Sequence, residues 1–466
     1  MSAASVHVPR KFYIAFALLI VVVGRFGNHF DNAAGIDFYQ YWGTGLALKS
    51  GQIPNANVYR QEKTIQAFLN ALVDRTSPDP RLKTVNQYRR ASLEFAGTPL
   101  LFALWSLVSL PDYSQAFLWF SFGKALLFMA GILLLERTLT RNGSAAFMTG
   151  IAMLVLFLPV SSDFLMGNIN LVQFFGICLI LYFCSLLTPG KVSHLPGIPT
   201  IILGLAAFFA LLKPNIFLIF PCMFLHILAR LGWRRMVPTL LGTLLLLLSF
   251  LIFPMIQLDS ATIWLDWYHR TLAGDVHGNI AIWSPVKFGN LSVHAYMQDF
   301  TSMPPETLTK MSWLFLTLTL GLALLARMRR ERHAHLANPG LPALSLLDTL
   351  QAIMADASIM MALALIVSTL FMPLIWLHYL VILAVPGLLL IDAKTRSLRL
   401  LGLLTLICAS DLIGQLIITL RSMPAMQEHS VIIVILHATR VTLLAFSWLP
   451  AWVGILMKVS GQETKP

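Results

Sequence analysis

Hydrophobic residues run along this chain in long, nearly unbroken blocks, not in the one-in-two alternation of a half-buried strand. The blocks fall at about 12–25, 95–110, 116–135, 145–160, 170–187, 198–229, 236–257, 310–326, 356–372, 374–391, 400–420 and 431–457. Many approach the roughly 20 apolar residues that a helix needs to cross a bilayer. Continuous runs favour helices over a closed barrel of alternating strands. The pattern predicts an all-α polytopic membrane bundle of about twelve transmembrane helices, a single domain over residues 1–466.

Polar stretches separate the blocks. Two are long, about 26–94 and 258–309, and a third, 327–355, carries Arg327, Arg329, Arg330, Arg332, His333 and His335. Inside the first, Ile65, Phe68, Leu69, Leu72 and Val73 repeat at i, i+3, i+4 spacing. That spacing predicts an amphipathic helix at the membrane surface, ended by Ser77-Pro78-Asp79-Pro80. The block 198–229 is broken by Lys213-Pro214-Asn215, so it is read as one kinked passage or two short ones. No internal repeat is evident, which disfavours an inverted-repeat transporter.

Basic clusters set the orientation. Arg230 to Arg235, Arg327 to Arg332 and Lys394 to Arg399 are expected on the cytoplasmic side, with both termini. The stretches 26–94, 258–309 and 421–430 then face outward. Arg10 and Lys11 precede the first block, and no small-residue cleavage site follows it, so it is expected to stay as a helix.

Composition agrees. The chain is 57% hydrophobic and 12% charged, with a mean hydropathy of +0.75, against roughly 45–50% apolar residues in soluble domains. The net charge of +12 lies in short clusters between apolar blocks. That arrangement points to loops beside anionic lipid and argues against nucleic acid as a partner. Cys178, Cys184, Cys222 and Cys408 all sit inside apolar blocks without metal-ligand spacing and read as small buried hydrophobes.

One polar site stands out. Gly35-Ile36-Asp37-Phe38-Tyr39-Gln40-Tyr41-Trp42 places a carboxylate just beyond the first block, among four aromatics. Asp37 can cap a helix beside an interfacial aromatic belt, or accept a proton from a hydroxyl that attacks an anomeric carbon. Tyr39, Tyr41 and Trp42 offer faces for stacking on a sugar or for sitting at the bilayer interface. Asp31 is the nearest rival acid.

Further segments recur in order: Gly51 with Val58-Tyr59-Arg60, Thr98-Pro99 leading to Leu110-Pro111, Gly167-Asn168-Ile169-Asn170, Leu212-Lys213-Pro214, Gly289-Asn290-Leu291-Ser292, and Met372-Pro373-Leu374-Ile375-Trp376-Leu377-His378-Tyr379 before Pro386. With Asp37 to Trp42 they resemble glycosyltransferase family 87, polyprenyl-phosphate-sugar-dependent enzymes of the GT-C superfamily. Asn168 and Leu291 stand where that family has Gln, and Met372 where it has Ser.

The resemblance implies transfer of a hexose, mannose first among them, from a polyprenyl-phosphate donor to a lipid-linked or cell-envelope glycan. Transfer would be inverting, on the outer face of a bacterial inner membrane, with Asp37 as general base. No cofactor and no essential metal is implied, because the leaving group is a phosphate monoester. Partners for that phosphate are sought in Lys213, inside an apolar block, and in His378, two residues after Trp376. Arg60 shares the Asp37 loop, and Arg270, His277, Asn290 and His294 lie in the second outer stretch. Each also has a plain reading as a snorkelling, core or solvated group. The substrate-binding set is thus Tyr41, Trp42, Arg60, Lys213, Asn290, Trp376 and His378, with lipid as the surrounding solvent. The alternatives are an arabinose or glucose donor, a lipid-linked-sugar transporter, which would need paired charges within several spans where few appear, Lys124, Lys213 and Asp411 being the main ones, and a non-catalytic assembly subunit.

Overall fold

The computed structural model describes residues 35–51, 57–75, 97–139, 145–187, 197–271, 290–338, 345–372, 375–421 and 430–461. The expectations for the first block at 12–25, Asp31, the Ser77–Pro80 break, His277 and Gly289 lie outside these residues.

The described chain is helical throughout, with no strand among the described residues. In order the helices are α1 (Ile36–Lys49), α2 (Glu62–Arg75), α3 (Pro99–Val108), α4 (Tyr113–Leu139), α5 (Ala145–Leu156), α6 (Leu158–Met166), α7 (Asn170–Leu186), α8 (Ile198–Leu212), α9 (Ile219–Leu231), α10 (Trp233–Gln257) and α11 (Ile263–Thr271). They continue as α12 (Val293–Thr301), α13 (Pro305–Ala337), α14 (Leu346–Met354), α15 (Ala357–Phe371), α16 (Ala384–Ile391), α17 (Arg396–Ala409), α18 (Leu412–Arg421), α19 (Ser430–Ala445) and α20 (Leu449–Val459). Short 3-10 turns occupy Pro214–Ile216 and Leu377–Leu383.

Among the described residues six helices are long and apolar enough to cross a membrane, or up to eight if the bent pairs α14–α15 and α17–α18 each count as one span. The twelve spans expected from the apolar blocks are therefore not all seen among the described residues. Pro99–Val108, Asn170–Leu186, Ile198–Leu212 and Leu377–Ile391 fold as helices of 10–17 residues. At 1.5 Å per residue these fall short of a bilayer core of about 30 Å. The block 198–229 resolves into two helices, α8 and α9, which pack on each other after the break at Lys213.

The outer surface is that of a chain solvated by lipid. Leu241, Leu244, Leu245 and Leu248 of α10 and Leu314, Leu318, Leu322 and Leu325 of α13 are exposed in rows at helical spacing. In water such rows would be costly, but against acyl chains they are the expected face. The amphipathic helix forms as α2. Its stripe does not lie free on a surface, because Ile65 and Leu69 are fully buried against α1 and Leu69 O accepts from the Tyr39 hydroxyl at 2.9 Å.

What positions the site is a meeting of four backbone interruptions: the start of α1, the Gly167–Ile169 turn between α6 and α7, the Lys213 break between α8 and α9, and the stretch before the 3-10 turn at Leu377. Irregular backbone at membrane depth survives only where its polar groups are met inside the protein. Here they are met. The carbonyl of Leu212 accepts from Thr98 at 3.0 Å and that of Lys213 from Gln173 at 3.0 Å. Two glycines make the approach possible. Gly35 and Gly167 have φ of +62° and +68°, and a Cβ on Gly167 would lie 2.4 Å from that of Phe38.

Candidate active site

Asp37 lies in the first turn of α1, a short helix outside the candidate spans, where the N-terminal dipole favours a carboxylate. Gly35 fixes this start, since its N–H donates to Leu165 O at 3.1 Å and its carbonyl accepts from Tyr113 at 3.2 Å. The Asp37 side chain keeps 27% of its surface accessible. Its Oδ2 accepts from the Asn168 amide at 2.6 Å and lies 3.6 Å from His378 Nε2. The Asn168 amide nitrogen also lies 3.2 Å from that same His378 nitrogen.

Lys213 completes the group. Its ammonium donates to Asn168 Oδ1 at 2.7 Å and Asn170 Oδ1 at 2.9 Å, and sits 3.9 Å from the centre of the Tyr379 ring. Burial raises the pKa of the Asp37 carboxyl, and the Asn168 hydrogen bond and the Lys213 charge oppose that rise only in part. Burial also pushes the Tyr41 phenol well up, with the Asp37 charge beside it, so Tyr41 stays a neutral hydroxyl.

Beneath this layer is an ion pair with no solvent exposure. Lys124 donates to Asp163 Oδ1 at 2.9 Å, to Asp163 O at 2.8 Å and to Asn168 O at 3.0 Å. Asp163 Oδ2 accepts from both the backbone N–H and the side-chain amide of Asn170, each at 3.1 Å. The pair therefore clamps both asparagines of the Gly167–Asn170 turn from below.

A carboxylate open on one side, with a lysine and a histidine within one side chain of it, can take a proton from a hydroxyl and hold an anion nearby. The sequence profile of glycosyltransferase family 87 matches residues 96–355, more than half of the chain. The chain belongs to glycosyltransferase family 87. No curated protein matches it, and no solved structure does. In this family 87 chain the match covers Lys124, Asp163, Asn168, Asn170 and Lys213, while Asp37 and His378 flank it on either side.

The other expected site residues of the family 87 chain fall in three places. Tyr41, one turn after Asp37, shares its face of α1 and stacks on Trp105 at 6.3 Å. Trp42 turns away, fully buried, with its indole N–H donating to Leu110 O at 2.7 Å and its ring edge-on to Tyr113. Asn290 is buried too. Its Oδ1 accepts from the N–H groups of Ser292 and Ile375, stapling the Asn290–Ser292 segment to the stretch that carries Trp376 and His378. Trp376 is half-buried and caps the 3-10 turn.

Arg60 is not brought to Asp37. It is 64% exposed and pairs with Asp266 at 2.8 Å, and Asn57 donates to the same carboxylate at 2.7 Å. Arg270 donates to Tyr59 O at 3.1 Å, so these residues join the two polar stretches. His294 lies 3.4 Å from the Ser312 hydroxyl. Asp411, named with Lys124 and Lys213 as a mid-span charge, pairs bidentately with Arg440. Among the described residues no group of three or more His, Cys, Asp or Glu side chains could hold a metal ion.

Proposed function

We propose that this family 87 glycosyltransferase transfers a hexose, mannose in our reading, from a polyprenyl-phosphate donor to a lipid-linked or cell-envelope glycan, with inversion. Asp37 is the base that takes the proton of the attacking hydroxyl. Lys213 supplies the cation for the leaving phosphate, and His378 and Tyr41 are neutral hydrogen-bonding groups beside it. A departing phosphate monoester needs charge neutralisation but no metal bridge between two phosphates, so lysine alone suffices in this reading.

The observation that carries the proposal is the convergence of Asp37, Lys213 and His378 on one side chain, Asn168. They come from segments up to 341 positions apart (378 − 37). A second observation supports the outer face of a bacterial inner membrane. Lys213 directly precedes the span Pro214–Leu231 and Arg230 sits at its far end, the two about 26 Å apart at helical rise. Basic residues mark the cytoplasmic side, so Arg230 inside leaves Lys213 outside.

The test is release of polyprenyl phosphate by purified protein given a membrane lipid extract and, in separate reactions, polyprenyl-phosphate mannose, glucose or arabinose. Release with mannose alone is expected. Release only with arabinose or glucose replaces the donor, and release with none of the three sinks the reading.

A further inference from the structure

We infer that Asn168 is the positioning residue of this site: one carboxamide couples the cation at Lys213 to the carboxylate at Asp37 and holds His378 with its Nε2 unprotonated. The orientation of the amide is set by its neighbours. Asn168 Oδ1 receives the Lys213 ammonium at 2.7 Å and the Ile169 N–H at 2.7 Å. Both are donors only, so the atom facing them is the oxygen. Nδ2 then has two hydrogens and two neighbours, Asp37 Oδ2 at 2.6 Å and His378 Nε2 at 3.2 Å. A proton on His378 Nε2 would face the Asn168 N–H at 3.2 Å, with the Asp37 carboxylate beyond hydrogen-bond reach at 3.6 Å. The imidazole is therefore neutral there, with its proton on Nδ1.

The backbone of Asn168 is held as firmly as its side chain. Its carbonyl accepts from Lys124 at 3.0 Å, its N–H donates to Asp163 O at 3.2 Å, and the residue is 3% exposed. The carboxamide thus has a fixed place from which it can hold the Asp37 carboxylate on one line for an incoming hydroxyl. Its other end keeps Lys213 beside that carboxylate without a direct ion pair, which leaves one ammonium hydrogen available to an anion. The charged and titratable groups around Asp37 are Lys213, His378, Tyr41 and Tyr379 beside it and the Lys124–Asp163 pair below. None of these donates a hydrogen bond to the carboxylate; among the described residues the side-chain donor to it is Asn168. The inference rests on the reading of Asp37 as base, and the two can fail separately.

The direct measurement is an infrared titration of the Asp37 carboxylic C=O band, assigned by its loss in Asp37→Asn, which needs no turnover. Removing a hydrogen bond to the charged form in Asn168→Ala should raise the midpoint by about one to two pH units. Asn168→Leu removes the same donor at nearly the same volume and should raise it as far, so the test survives if the alanine variant does not fold. Asn168→Gln restores an amide donor and should return the midpoint toward wild type. In transfer assays the acid limb of kcat should move with that midpoint, while donor KM changes less. A midpoint that is unchanged or lowered in Asn168→Ala, or in Asn168→Leu where the alanine variant does not fold, overturns the positioning role. If instead the midpoint moves while Asp37→Asn keeps full transfer, the positioning stands and the base assignment falls.

Discussion

Lys124→Met should be one of the most destabilising single changes in the spans. It strips the cation from Asp163, whose side chain has no solvent exposure, and removes three hydrogen bonds of 2.8–3.0 Å, one of them to the Asn168 carbonyl. Leaving one partner of a buried pair uncompensated costs about 3–5 kcal/mol. Adding Asp163→Asn removes the orphaned charge yet keeps an acceptor for the Asn170 N–H groups. The double variant should then cost only about 1–3 kcal/mol, that of a lost donor to a buried carbonyl. Unfolding entropy of roughly 2.1 cal/mol/K per residue amounts to about 1 kcal/mol/K over 466 residues. The single variant should melt at least about 3 °C below wild type, further if only part of the chain unfolds at once. The assay is the fraction of monodisperse protein left in detergent after stepped heating. A single variant that melts with wild type, or above the double variant, refutes the argument that this pair supports the turn.

Other consequences concern the site directly. Lys213→Met should raise donor KM by about 10- to 100-fold through loss of a charge-assisted contact to phosphate, and an unchanged KM would remove Lys213 from phosphate binding. Because burial raises the Asp37 carboxyl, kcat/KM should fall as pH drops through a midpoint above the ordinary carboxylate range, where the base becomes protonated. A flat profile down to that ordinary range would contradict this. Gly167→Ala combines a φ of +68° with a Cβ 2.4 Å from Phe38 Cβ, and should cost more than about 1 kcal/mol in stability, read by the same heating assay. Arg60→Ala should leave turnover within about twofold, since an exposed pair contributes little, and a large loss would bring Arg60 back to the substrate.

Much of the candidate site was legible because its polar residues sit at interruptions, and interruptions show in sequence. Lys213-Pro214 breaks an apolar block, and Asp37 and His378 are polar residues at the edges of others. Their mutual contacts were not legible, because the element that joins them, Asn168, is 131 positions from Asp37 and 210 from His378. An asparagine in a short Gly-Asn-Ile-Asn string carries no sign of a four-way hydrogen-bonding role. The orientation of Trp42 was equally hidden. Asp37 and Tyr41 are one turn apart on α1, whereas Trp42 is five residues on and falls to the opposite side, against Leu110 and Tyr113. Apolar runs likewise report burial or lipid contact but not helix length. Pro99–Val108 is as apolar as a span yet only 10 residues long, and α8 stops where Pro214 forbids its continuation.

The account stands or falls on Asp37 as the base. Single-turnover transfer from pre-bound polyprenyl-phosphate mannose separates chemistry from binding. Asp37→Asn keeps the shape of the side chain but cannot take a proton, so the turnover rate should drop by about 10²- to 10⁴-fold with donor affinity and melting temperature retained. An Asp37→Asn protein that transfers at the wild-type rate would contradict the central claim.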